Sequence, residues 1–175
     1  MEVLRMKSWY VITNKRNAFQ WVTERLTSIG VEFFSPTHVE LRKRPDRPSC
    51  RKIEKQLFSG YLFLRFDPDE LHTTTIADIP GVQGFVRYGG QPSTVRNELV
   101  DALRKTLLLR TDRTLSCIEY RNLPSDLMRA LHLIVEMRSE TRRKAALYAL
   151  LEKEAMSERF VRLPGALICS ALHAS

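Results

Sequence analysis

The chain is predicted to be an α+β protein, an antiparallel sheet flanked by helices and followed by a small α-helical hairpin. Three observations carry this. Up to about residue 105, short β-branched and aromatic runs alternate with runs of helical period. The stretch Leu57 to Phe66 is almost wholly apolar, as a strand covered on both faces must be. Beyond residue 123 two amphipathic helical patterns follow each other, and no glycine stands between Gly90 and Gly165.

Ser8-Trp9-Tyr10-Val11-Ile12-Thr13 is β-branched and aromatic, hence a strand. Asn17, with Gln20 three residues on, has the pattern of a helix N-cap; Phe19, Val22, Leu26 and Ile29 follow at helical spacing, and Gly30 closes the helix. Val31 to Phe34 and Val39 to Lys43 read as two short strands around Pro36. Pro45 and Pro48 make residues 44–52 a loop at a hairpin tip. Leu57 to Phe66 is the central strand. Asp67-Pro68-Asp69-Glu70 combines an N-cap Asp, a Pro at the first helical position and a Glu at the third, which predicts a short helix to about Ala77. Val82 to Tyr88 is a strand ended by Gly89-Gly90, and residues 96–105, with Leu99, Val100 and Leu103, form a helix.

Residues 106–122 lack a clear period and are read as a linker between a first domain, 7–105, and a helical hairpin, 123–163. Pro124-Ser125-Asp126 starts its first helix, in which Leu127, Leu131 and Ile134 share a face with Met128 and Val135. Arg138-Ser139 breaks the pattern. Residues 140–156 are rich in Ala, Leu, Glu, Lys and Arg, strong helix formers, with an apolar stripe of Leu147, Leu150 and Leu151. Such a hairpin cannot bury its apolar face alone, so it requires a partner surface. Residues 164–175 form a tail.

With 175 residues and 43% hydrophobic content the chain can bury a core in one or two small domains. No apolar run reaches the length of a membrane span and no signal peptide opens the chain, so a cytoplasmic protein with no membrane partner is expected. Cys50, Cys117 and Cys169 are far apart and lack metal or redox spacing, as expected of reduced thiols. Four scattered histidines, no paired carboxylates and no Gly-rich phosphate loop argue against an enzyme, and neither a cofactor nor a metal is expected. The net charge of +8 is uneven: residues 1–60 carry 12 Lys/Arg against 6 Asp/Glu. Arg42, Lys43, Arg44, Arg47, Arg51, Lys52 and Lys55 face only Asp46 and Glu54. Such a patch attracts nucleic-acid phosphates, and it equally suits a solvated loop.

The run Gln56-Leu57-Phe58-Ser59-Gly60-Tyr61-Leu62-Phe63-Leu64 resembles the Leu-Phe-Pro-(Gly/Asn)-Tyr-Leu-Phe-Val signature of the NusG family of transcription elongation factors. Ser8-Trp9-Tyr10, Gly81-Val82 and Phe85-Val86-Arg87-Tyr88-Gly89 resemble further family motifs in the right order. His72-Thr73-Thr74-Thr75, and the stretch from Asp67-Pro68 to Ile76, resemble the specialised RfaH branch, which includes the ActX type of conjugative plasmids. On pattern alone Tyr61 and Phe63 are core aromatics and His72 is a surface residue. Three successive Thr on a helix are less expected, because β-branched Thr is a poor helix former.

The resemblance implies an operon-specific elongation and antitermination factor, monomeric, that binds both large subunits of bacterial RNA polymerase. The clamp-helix contact would fall on Phe58, Tyr61, Phe63 and Tyr88, and the gate-loop contact on His72, Thr73, Thr74 and Thr75. Lys15 and Arg16, with Arg25 where the branch has a histidine, would contact the non-template DNA strand. Ile79-Pro80 stands where the branch has Thr-Arg, so the DNA element is expected to differ. The tail of the branch is a helical hairpin that masks the aromatic cavity, and its released C-terminal domain contacts the ribosome. Glu140 to Glu154 resembles the second hairpin helix, and Phe160 to Leu163 the last residues. The interdomain face would then comprise Leu127, Leu131, Ile134, Leu147, Leu150 and Leu151. The branch's interdomain ion pair maps to Lys55, with Glu54 beside it, and to Arg142. The alternative is a stand-alone RNA-binding module, which needs aromatics interleaved with basic residues on one sheet face; here the two are largely separate.

Overall fold

The computed structural model describes residues 6–43, 45, 50–111 and 125–162. The elements are β1 (Ser8–Asn14), a 3-10 turn (Arg16–Ala18), α1 (Phe19–Ser28), β2 (Glu32–Phe34), β3 (Thr37–Lys43), β4 (Cys50–Gln56) and β5 (Tyr61–Phe66). They continue as α2 (Thr73–Ala77), β6 (Val82–Phe85), β7 (Thr94–Val95), α3 (Asn97–Thr111), α4 (Ser125–Glu136) and α5 (Glu140–Arg162). This is the α+β arrangement that the sequence predicts, with a helical C-terminal part.

The sheet is antiparallel in the order β2-β5-β1-β6, and the short β7 pairs with the start of β1. β3 and β4 form a separate hairpin. β1 and β5 are the interior strands, and helices pack on both of their faces. Period-2 alternation sends Tyr10, Ile12, Leu62, Leu64 and Phe66 to one face, where they pack with Val22 and Leu26 of α1 and Ile76 of α2. Trp9, Val11 and Phe63 point the other way, onto α3, α4 and α5. The register sets Val11 opposite Phe63 and Thr13 opposite Tyr61.

Several local expectations shift, each for a backbone reason. Leu57 to Gly60 is a turn rather than the start of the strand, because Gly60 adopts φ +84° and the Tyr61 N–H donates to the Phe58 carbonyl at 3.0 Å. A Cβ at Gly60 would stand 3.1 Å from the Asn14 carbonyl oxygen. Asp67 caps a single turn, not a helix: its carboxylate accepts from the Asp69 N–H at 3.0 Å. His72, in extended conformation, is the residue that caps α2. Asn17 lies inside the 3-10 turn, and α1 begins after Ala18 with no side-chain cap. α3 runs on to Thr111, so the first residues assigned to the linker are helical. The remainder of that segment, Cys117 and Cys169, most of the basic hairpin tip and the tail from 163 onward lie outside the described residues. Among the described residues no helix is long and apolar enough to cross a membrane, and no His/Cys/Asp/Glu group is placed to hold a metal.

Candidate functional site

The four aromatics singled out from the sequence converge beneath the helical hairpin. Phe58 is 1% exposed and Phe63 fully buried, Tyr88 is buried, and Tyr61 is half-buried at the margin. Phe58 sits in the 57–60 turn, Tyr61 and Phe63 project from alternate positions of β5, and Tyr88 follows β6. Leu127, Leu131 and Ile134 of α4 and Leu147 and Leu151 of α5 are buried in the same cluster, and Leu150 packs at its edge. Burying each such side chain contributes about 1.5–3 kcal/mol. A neutral hydrogen bond across the interface contributes about 0.5–1.5 kcal/mol and one to a charged group about 1.5–3 kcal/mol, and the buried apolar side chains outnumber these contacts. Apolar contact therefore drives docking, and the polar contacts set its register.

Those polar contacts were mostly missed by sequence reasoning. Arg143, 6% exposed, donates from Nε to the Leu57 carbonyl oxygen at 2.8 Å and from Nη1 to the Met137 carbonyl oxygen at 2.7 Å. Its neighbour Arg142 is exposed. The signal was present, since Arg143 precedes Leu147 by four residues and so shares the apolar stripe of α5. Tyr88 donates its phenolic proton to the Tyr148 carbonyl oxygen at 2.9 Å, with the two rings 5.1 Å apart. Burial, helped by Tyr148 and Glu152, pushes the Tyr88 phenol far above its ordinary range, so it stays a donor. Arg96 pairs with Glu154, and the Lys144 ammonium stands 6.0 Å from the centre of the Tyr61 ring.

Glu54 and Lys55 lie on β4, where the Glu54 carboxylate accepts from the Thr37 hydroxyl at 2.6 Å and Lys55 stands opposite His38. A second charged pair between hairpin and first domain, beside Arg96–Glu154, joins Arg16 to Glu140, whose carboxylate meets the guanidinium at 2.8 Å. Burial raises the Glu140 carboxyl, but the Lys144 hydrogen bond and charge, then Arg16 and Arg143, bring it below its ordinary value. A cleft of about 580 Å³ joins this corner to the aromatics, lined among others by Lys15, Arg16, Asn14, Tyr61 and Lys144.

Of the remaining candidates, the His72–Thr75 run and Arg25 are placed on α2 and α1, while Lys15 and Arg16 border the hairpin at the Glu140 corner. His72, Thr74 and Thr75 are exposed and Thr73 half-buried at the start of α2. His72 Nδ1 accepts from the Thr74 N–H at 3.3 Å and lies 2.8 Å from the Thr74 hydroxyl, which fixes the ring over the helix end. Lys15 and Arg16 are exposed on the turn leading into α1, and Arg25 is exposed on that helix.

Residues 7–104 match the sequence model of a family described as transcription termination factor NusG. Among solved structures, one of NusG from Thermotoga maritima, on the interaction of its domains, is 22% identical with a TM-score of 0.38. The likeness covers 67% of this chain and 63% of that one, so the chain spans less than two thirds of that relative's length.

Proposed function

This chain belongs to the NusG family, and from that membership we propose that it is an RfaH-like elongation and antitermination factor, held closed by its own C-terminal hairpin. In this reading residues 7–105 are the polymerase-binding domain. Phe58, Tyr61, Phe63 and Tyr88 receive the clamp helices of the largest RNA polymerase subunit. His72 and Thr73 to Thr75 contact the gate loop of the second large subunit, and Lys15, Arg16 and Arg25 contact the non-template DNA strand. No step of bond-making is involved. The factor acts by binding one polymerase conformation better than another, which disfavours the paused state.

The observation that carries the reading is the covering of Phe58 and Phe63 by α4 and α5. An apolar surface cannot hold the hairpin and a partner helix pair together, so binding waits for release. A closed state favoured 99 to 1 lowers apparent affinity about a hundredfold, and any ligand of the open state recovers it.

The test uses purified bacterial RNA polymerase on paused elongation complexes. The expected result is co-migration of the chain with the complex and shortened pauses on templates that bear its DNA element. Retention on RNA oligomers with no polymerase binding would favour the RNA-module reading instead.

A further inference from the structure

Among the described residues, Trp21 is the largest apolar side chain left more than half exposed, at 57%. Helix α1 buries Val22 and Leu26 against the sheet. At 100° per residue Trp21 falls on the flank of that buried stripe, and Arg25 and Ser28 recur beside it four and seven residues on. With Glu24 these three line a shallow depression of about 210 Å³. The Glu24 carboxylate accepts a 3.0 Å bond from Gln20. Lys15 and Arg16 stand exposed on the turn that enters the same helix.

We propose that Trp21 is a stacking platform for one unpaired base of single-stranded DNA, with Arg25 and the Lys15–Arg16 turn attracting the flanking phosphates. The inference rests on the DNA-contact reading above and adds to it a residue that contacts a base rather than a phosphate. An indole face accepts any base, and stacking combined with basic side chains is how single strands are gripped without a fixed sequence. In a duplex the base faces are hidden within the stack, so the platform selects unpaired DNA. A protein partner suits the surface less well. Its exposed neighbours on α1, Gln20, Glu24, Arg25, Thr27 and Ser28, are polar, whereas protein-docking patches are contiguous and apolar. The charge excess of residues 1–60 favours an anionic ligand.

The chain has two tryptophans, and Trp9 is 3% exposed, so a ligand-induced change in emission reports on Trp21. The full chain is titrated at low salt with a mixed-sequence 12-nucleotide single-stranded DNA, the matching duplex and the matching RNA, while anisotropy of the labelled strand follows binding. Quenching by single-stranded DNA is expected. Trp21→Ala should weaken that binding about 5- to 150-fold, the range of one lost stacked base. Trp21→Phe should keep most of the binding and lose the quenching. Lys15→Ala with Arg16→Ala should weaken binding and flatten its salt dependence. If only the latter pair weakens binding, the DNA-contact reading stands and the platform is overturned. Should neither set weaken it, both fall. Equal quenching by the duplex, or tighter binding of the RNA, also overturns the platform.

Discussion

Arg143 of α5 donates a 2.8 Å hydrogen bond to the backbone carbonyl of Leu57, the residue directly before Phe58. The hairpin is thus bonded to the turn that presents the central aromatic of the covered face. A guanidinium 6% exposed is costly unless its donors are used, and here Nε and Nη1 both reach carbonyl oxygens. Arg143→Met keeps an unbranched stem and removes the guanidinium, with it the bonds to the Leu57 and Met137 carbonyls. It should destabilise docking by about 1.5–3 kcal/mol, the usual worth of hydrogen bonds to charged groups. Amide hydrogen exchange in α4 and α5 should accelerate correspondingly, with little change in β1 and β5. Arg142→Met should move exchange by less than about 0.5 kcal/mol, as exposed substitutions do.

Tyr88→Phe tests the second pin. It keeps the ring against Tyr148 and deletes only the hydroxyl that donates to the Tyr148 carbonyl. The expected loss is about 0.5–1.5 kcal/mol of docking energy. The folded phenol pKa is raised, so its stabilising contribution is complete below the ordinary tyrosine range and declines only as pH rises above it. Hairpin exchange rates, corrected for intrinsic chemistry, should therefore show no Tyr88-dependent step between neutral pH and pH 9. A step in that window that Tyr88→Phe abolishes would contradict the assignment.

Glu140 gives the opposite dependence. Its folded pKa is lowered, so its contribution is present above the ordinary carboxylate range and is lost as pH falls through the depressed value. Acid should loosen the hairpin, and Glu140→Gln should remove that acid sensitivity. It should also free Arg16, raising affinity for anionic ligands at the Lys15–Arg16 turn. The comparison is hairpin exchange in parent and variant across pH 3 to 6. Identical profiles would show that the Arg16–Glu140 pair carries no docking energy.

How far the sequence foretold this site follows from which interactions have a period. The hairpin was legible because Leu127, Leu131 and Ile134 repeat at helical spacing, and the two-faced sheet because Leu62 and Leu64 alternate with Phe63. Single polar contacts between distant elements have no period. Tyr88 and Tyr148 lie 60 residues apart, and only the folded chain brings them together. The Asp67-Pro68 signal was misread because a cap and a Pro also open an isolated turn. What stopped that turn was the extended backbone of His72. Trp21 was passed over because one exposed ring breaks no pattern.

For the Thr run, the proposal predicts separation of binding from activity. Thr73→Ala, Thr74→Ala and Thr75→Ala together remove three hydroxyls while raising helix propensity. The Thr74 N–H that His72 caps is retained, so α2 should persist. Polymerase binding should be unchanged and pause shortening lost, read on the same elongation complexes. Pause lifetimes equal to those with the parent chain would remove the gate-loop role.

The covered face itself is tested most directly by polymerase affinity. The full chain is compared with one that ends at residue 111, after α3 and before α4, once circular dichroism shows that the shorter chain keeps its sheet. With Phe58, Tyr61 and Phe63 uncovered, the shorter chain should bind core RNA polymerase at least tenfold more tightly, about 1.4 kcal/mol or more. Phe63→Ala in the short chain should then cancel the gain. Equal affinity of the two chains would contradict the claim that the hairpin occupies the polymerase-binding face.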